Sequence, residues 1–123
     1  MPINLFDAGT EGLAKALSVH QLRHQILASN IANVETPGYR AQEVDFRETL
    51  RNAFVESSAN TPGTTEPPRR TEDLEAPMGA DGNSVDIDLQ MAKLASNSGR
   101  FNTLAKILGK RFTMIRQAID GVR

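Results

Sequence analysis

The residues best suited to chemistry in this 123-residue chain are His20 and His24, four apart in the run His20-Gln21-Leu22-Arg23-His24. That spacing puts both imidazoles on one helical face, as in the zinc-binding pattern H-E-x-x-H. Gln21 stands where the general-base Glu is needed, and the chain holds no third histidine and no cysteine, so any further ligand must be a distant carboxylate. A zinc site is therefore short of donors. Histidine titrates in the physiological range, so a pH-sensitive contact in a helix interface is the more reasonable use of the pair. Asp86 and Asp88 bracket Ile87, but carboxylates at i and i+2 of a helix point apart. They fit a helix start, where negative charge meets the positive end of the dipole. Without a phosphate-cradling glycine loop, a nucleophile elbow or any cysteine, the chain is expected to be non-enzymatic, with no cofactor and no metal.

Long helices must position these residues. Leu13, Leu17, His20, His24, Leu27, Ile31 and Val34 recur at alternating gaps of 4 and 3, a heptad seam. Asp7 or Thr10 can cap its start, and Pro37 must stop it. The C-terminal end repeats the pattern without a break in register: Ile87, Met91, Leu94, Ser98, Phe101, Ala105, Leu108, Phe112, Ile115, Ile119 and Val122. Asp86 or Ser84 caps this second helix, with a kink expected at Ser98-Gly99. Between them, Asp45 and Glu48 begin a short helix carrying Phe46, Leu50 and Phe54. Four of the six prolines, with Gly63, Gly79 and Gly82, fall within residues 57–83, which predicts a flexible acidic loop.

The expected fold is all-α: two long heptad helices packed as an antiparallel coiled-coil hairpin, with a short middle helix and a flexible Pro/Gly-rich loop. Its parts are an N-terminal helix within 1–36, a turn and short helix over 37–56, the loop over 57–83 and a C-terminal helix within 84–123. Such a hairpin has one shallow apolar interface and only 5% aromatic residues, so it should gain order from partners.

Charge is unevenly spread. Residues 1–52 carry 5 basic and 6 acidic groups, residues 53–92 carry 2 and 8, and residues 93–123 carry 7 and 1. With Met91 at position a, the basic residues Lys93, Arg100, Lys106, Lys110, Arg111 and Arg116 fall at c, c, b, f, g and e. They ring the seam and form no single stripe, so a solvated exterior or an acidic neighbour explains them better than nucleic acid. No apolar run approaches the roughly 18 residues of a membrane span, and no secretory signal pattern opens the chain. A discrete coiled-coil adaptor and a DNA-binding regulator share parts of this pattern. The first would form a closed, stable oligomer, the second would bind duplex with steep salt dependence.

The segment Ser29-Asn30-Ile31-Ala32-Asn33-Val34-Glu35-Thr36-Pro37-Gly38-Tyr39-Arg40 reads as a helix exit. Asn33 can adopt the left-handed conformation, Pro37-Gly38 suits a type II turn, and Tyr39 would fold back or reach a neighbour. Its wording resembles the N-terminal signature shared by bacterial flagellar rod and hook proteins. Val44-Asp45-Phe46, Asn83-Ser84-Val85-Asp86, Met91-Ala92, Asn97, Arg100-Phe101 and Arg111-Phe112 are similar to the short proximal-rod members of that family. Two residues depart from the pattern: Gln90 stands where an acidic residue is common, and Gly99 lies inside the distal helix.

The resemblance implies a structural subunit of the basal-body rod, the shaft between the motor's membrane ring and the hook. It further implies export by the flagellar type III apparatus without a cleaved signal, and residence in the rod within the periplasmic space. Implied partners are copies of itself, other rod proteins and the membrane-ring/rod junction. The assembly motif would be Asn30, Asn33, Thr36, Pro37, Gly38 and Tyr39, with Tyr39 as an anchor on an adjacent subunit.

Overall fold

The computed structural model describes residues 6–59 and 69–122, and the side chains of all of these except residues 56–59. Met1–Leu5, Arg123 and the centre of the expected loop, with Pro62, Gly63, Pro67 and Pro68, lie outside the described residues. The order of elements is α1 (Ala8–Ala32), β1 (Gln42–Val44), α2 (Phe46–Ala59), β2 (Arg70–Glu72) and α3 (Ile87–Asp120). The long α1 and α3 pair as an antiparallel hairpin, and α2 packs on another side of α1.

Both long helices begin where short carboxylates can satisfy open amides. Asp7 accepts from the Thr10 amide at 2.9 Å and the Thr10 hydroxyl at 2.7 Å, and Asp86 accepts from the Leu89 amide at 3.1 Å. Asp45 accepts from the Glu48 amide at 3.3 Å at the start of α2. That helix runs to Ala59, five residues past the expected Phe54. The expected kink at Ser98-Gly99 is not marked by any break in α3, which is helical throughout.

The core is small, and α1 supplies most of it. Ala16, Val19, Ile26 and Leu27 are buried there, joined by Ala41, Val44 and Ala53. On a helical wheel these α1 positions, with His20 and Asn30, span about 120°. The stripe is wide because α1 serves two partners, α2 and α3. It is also displaced from the heptad seam expected from sequence: Leu27 and His20 lie on both, Leu13, Leu17, Ile31 and Val34 sit half-buried at its edge, and His24 is exposed. A seam built for one partner therefore misplaces α1. Gly12 admits α2, since a Cβ there would stand 2.7 Å from Cδ1 of Phe54.

Two local features within this mostly helical fold add to the sequence reading. β1 and β2 form an antiparallel two-stranded ladder, pairing Gln42 with Glu72, Glu43 with Thr71 and Val44 with Arg70. Part of the stretch expected as flexible loop is therefore held: besides β2, the Asp73 amide donates to the Ala41 carbonyl at 2.8 Å. Asn33 ends α1 at φ −104°, ψ 16° and does not use the left-handed region open to asparagine. A three-residue spiral already turns the chain there, with the Asn33 amide reaching the Ser29 and Asn30 carbonyls, so no left-handed residue is needed.

Leu27→Ala removes a side chain with 0% exposure between the helices and is expected to cost about 2–5 kcal/mol of stability. Val122→Ala, at 88% exposure, should change stability by less than about 0.5 kcal/mol. Chemical denaturation followed by circular dichroism compares the two.

Candidate assembly interface

The two ends of the expected assembly motif, Asn30 and Tyr39, are bonded to each other within the subunit. Asn30 is fully buried, and its amide uses every site it has. Its Nδ2 donates to the Gln42 carbonyl at 2.8 Å and to Gln90 Oε1 at 3.0 Å, while its Oδ1 accepts from the Gln42 amide at 2.9 Å and the Tyr39 hydroxyl at 3.2 Å. Tyr39 thus folds back onto α1 and is half-buried, the first of the two placements its sequence context allowed. Thr36, Pro37 and Gly38 form the exposed turn: the Tyr39 amide donates to the Thr36 carbonyl at 3.2 Å, and Gly38 has φ 74°, the positive value a type II turn requires at that position. Asn33 stays half-buried, its Nδ2 donating to the Ser29 carbonyl and its Oδ1 accepting from the Thr36 hydroxyl.

A second buried amide closes the same neck from the other strand of chain. Asn83 Nδ2 lies within 2.8–3.0 Å of the carbonyls of Asn33, Val34 and Thr36, and its Oδ1 accepts from the Val85 amide at 2.7 Å. Ser84 adds two links, its Oγ accepting from the Ala41 amide at 2.7 Å and its own amide donating to the Tyr39 carbonyl at 3.0 Å. The end of α1 and the start of α3 are therefore joined by side-chain amides that replace helix-end carbonyl hydration.

Further along the hairpin, Asn97 does the same work. Its Nδ2 donates to the His20 carbonyl at 2.8 Å, which leaves Oδ1 to accept from His20 Nδ1 at 2.8 Å, so this ring carries a proton on Nδ1. The ring also meets Phe46 edge-on, with centroids 4.6 Å apart. With His24 exposed, the two histidines do not share one packed face.

Beside this contact lies a half-buried ion cluster that ties four segments together. Arg23 of α1 grips Glu43 of β1 with both ends of its fork, at 3.0 and 3.1 Å. Lys93 of α3 then bridges Glu43 at 3.3 Å and Asp73 at 3.1 Å. Arg23 also lies over the Phe46 ring, 5.1 Å from its centroid. Burial of Glu43 opposes its charged form, but the Arg23 hydrogen bonds and charge, the Val44 amide and Lys93 outweigh it, so its carboxyl titrates below the ordinary value.

These polar contacts explain where the C-terminal seam lies. The side of α3 turned inward runs through Gln90, Leu94, Asn97, Phe101, Leu104, Leu108, Arg111 and Ile115, all buried or half-buried. It shares Leu94, Phe101, Leu108 and Ile115 with the expected seam and replaces Met91, Ser98, Ala105 and Phe112 with the residues one position earlier. Gln90, Asn97 and Arg111 take those places because they meet Asn30, His20 and the Asp7-Thr10 cap. The displaced apolar residues face out instead: Ile87 is 45% exposed, Met91 52%, Phe112 45% and Ile119 54%. Between them this flank carries Ala95, Ser98, Ala105 and Gly109, small residues that let another backbone approach.

Residues 13–40, from α1 through the type II turn, match the family model described as "Flagella basal body rod protein". The chain is 34% identical to the flagellar basal body rod protein FlgB of Cereibacter sphaeroides, over 88% of this chain and 91% of that one. It is 32% identical to FlgB of Yersinia enterocolitica over 87% and 90%, and 27% identical to FlgB of Salmonella typhimurium over 97% and 98%. The chain belongs to the FlgB family of flagellar basal body rod proteins. It is a structural subunit of the basal-body rod.

For a rod subunit the division of α3 into two faces is informative. The inward face is polar enough to demand one register, and the outward flank is apolar enough to need cover. Sequence periodicity found the common stripe and assigned the outward residues to the hairpin. Gln90, Asn83 and Ser84 were noted as a departure from the family pattern, a family motif and a candidate cap, but their positioning contacts to α1 and the neck were not foreseen.

The lowered pKa of Glu43 fixes a sign. A carboxyl held below its ordinary value of 4.5 stabilises the fold above that pH, and the contribution disappears as pH falls through the lowered folded value. Unfolding free energy measured from pH 7 down to 3 should therefore drop in the acid limb. Glu43→Gln should make that limb shallower; an unchanged slope would contradict the cluster's role.

Proposed function

We propose that this subunit belongs to the proximal part of the rod and acts mechanically, not as an enzyme. It leaves the cytoplasm through the flagellar type III export apparatus without a cleaved signal and is incorporated in the periplasmic space. There the hairpin packs against copies of itself, other rod proteins and the membrane-ring/rod junction, forming a tubular shaft that carries torque from motor ring to hook. The turn residues Asn30 to Tyr39 serve by fixing the hairpin neck, so that the outer faces meet neighbours at a set angle.

The observation that carries this proposal is the apolar flank of α3, exposed beside a hairpin interface whose polar groups already have partners. A closed coiled-coil adaptor would bury such a flank in its own interface. No helix among the described residues is long and apolar enough to cross a membrane, so the flank has no span to serve. Neighbouring helices of an open array would cover it.

A deletion strain tests the function. Cells lacking the chain should fail to build hooks and filaments and should not swim. The wild-type chain should restore swimming, while Met91→Glu with Phe112→Glu, which leaves the buried residues intact, should fold and be exported but restore little. Complete, swimming-competent flagella in the deletion strain would overturn the proposal.

A further inference from the structure

The hairpin is electrically polarised from end to end. At the neck, Arg23 and Lys93 are committed to Glu43 and Asp73, and Arg40 lies 4.0 Å from Glu72. Glu35, Glu75, Asp81, Asp86 and Asp88 are left there without an ion-pair partner among the described residues, and Arg70 lies opposite Val44 in the ladder. At the opposite end Arg111 is committed to Asp7 at 2.8 Å. Arg100, Lys106, Lys110 and Arg116 on α3 have no ion pair among the described residues. One end is thus acidic and the other basic, in a chain whose formal net charge is only −1.

Shape follows the same axis. Beyond Arg111, α3 continues nine residues to Asp120, about 13 Å past the point where the start of α1 meets it. Along this projecting end Phe112, Ile115, Ile119 and Val122 recur at i, i+3, i+7 and i+10, flanked by Lys110 and Arg116. Phe112 meets Phe6 edge-on at 6.2 Å, while Ile119 and Val122 are 54% and 88% exposed. The neck carries a matching recess: an open groove of about 380 Å³ with Val34, Pro77, Met78 and Val85 in its lining and Asp81 and Asp86 on it too.

We infer that the acidic neck groove receives the basic, apolar C-terminal turns of α3 from a second copy of this chain. The occupant is a helix end laid in a groove, with Ile119 and Val122 covering Val34, Met78 and Val85 while Arg116 and Lys110 face the neck carboxylates. The contact joins unlike surfaces and places the two copies in line, displaced by roughly the length of α3, about 50 Å. It therefore does not close on itself and propagates as a strand. It rests on the rod proposal for its setting and on charge complementarity for its geometry.

Charge reversal tests the contact in the purified chain. The wild type should sediment at low salt as an open, concentration-dependent series that collapses toward monomer as salt rises. Glu35→Lys with Asp88→Lys removes most of the acidic charge at the neck, and Lys110→Glu with Arg116→Glu removes the excess positive charge at the other end; none of the four residues belongs to the neck network. Each double variant alone should associate at least about tenfold more weakly than wild type, and an equimolar mixture should regain association. Because the chain has no cysteine, Met78→Cys and Ile119→Cys variants report the contact directly: mixed together they should cross-link mainly to each other.

A wild type that stays monomeric at millimolar concentration, salt-independent association, or a mixture no stronger than its components would overturn the end-to-end contact. That failure is separate from failure of the rod proposal, which is decided by the deletion strain. A non-swimming deletion with no charge-swap rescue removes only this contact, whereas a swimming deletion removes the rod setting.

Discussion

One buried side chain sets the geometry on which the rest depends. Asn30, at the last turn of α1, holds the Gln42 backbone from both sides, the Tyr39 hydroxyl and Gln90 of α3. No apolar residue of that size could stop the chain at this point, because the Gln42 amide and carbonyl would lose their partners. An unsatisfied buried group of this kind costs on the order of 1–3 kcal/mol. Asn83 repeats the device from the other side of the neck, collecting three carbonyls released by the end of α1. Together they turn a floppy hairpin bend into a defined junction.

The same choice runs down the α1/α3 interface. His20 with Asn97, Arg23 with Glu43 and Lys93, and Asp7 with Arg111 alternate with Leu27, Leu94, Phe101 and Leu108. Polar pairs that are satisfied only in one register penalise sliding of one helix along the other, which a purely apolar seam of Leu and Ile would tolerate. Specificity is placed inside the subunit. Apolar surface, which adapts to many neighbours, is left exposed on the outer side of α3.

Local signals made much of this legible in the sequence. Asp7, Asp45 and Asp86 begin helices because a carboxylate meets an amide three residues away, a contact that needs no tertiary context. Pro37-Gly38 turns as its backbone chemistry requires. What escaped was decided at long range. β2 is Arg70–Glu72, three exposed residues with no apolar alternation, and it exists because β1 offers it a backbone edge. The inward face of α3 escaped because Gln90 and Asn97 look like surface residues until Asn30 and His20 are placed opposite them. Heptad counting scores apolarity, so it moved the seam one residue toward Met91 and Phe112. Among the candidate site residues, Asn30 is bound within the subunit, while Thr36, Pro37 and Gly38 form an exposed turn.

Amide hydrogen exchange of the free chain under conditions where it is monomeric tests the central claim most directly. If buried side-chain amides fix the neck, the backbone amides of Ala41, Gln42 and Val85, which donate to Ser84 Oγ, Asn30 Oδ1 and Asn83 Oδ1, should be protected to the same degree as the middle of α1. Exchange of these three amides at random-coil rates while α1 and α3 remain protected would contradict the account.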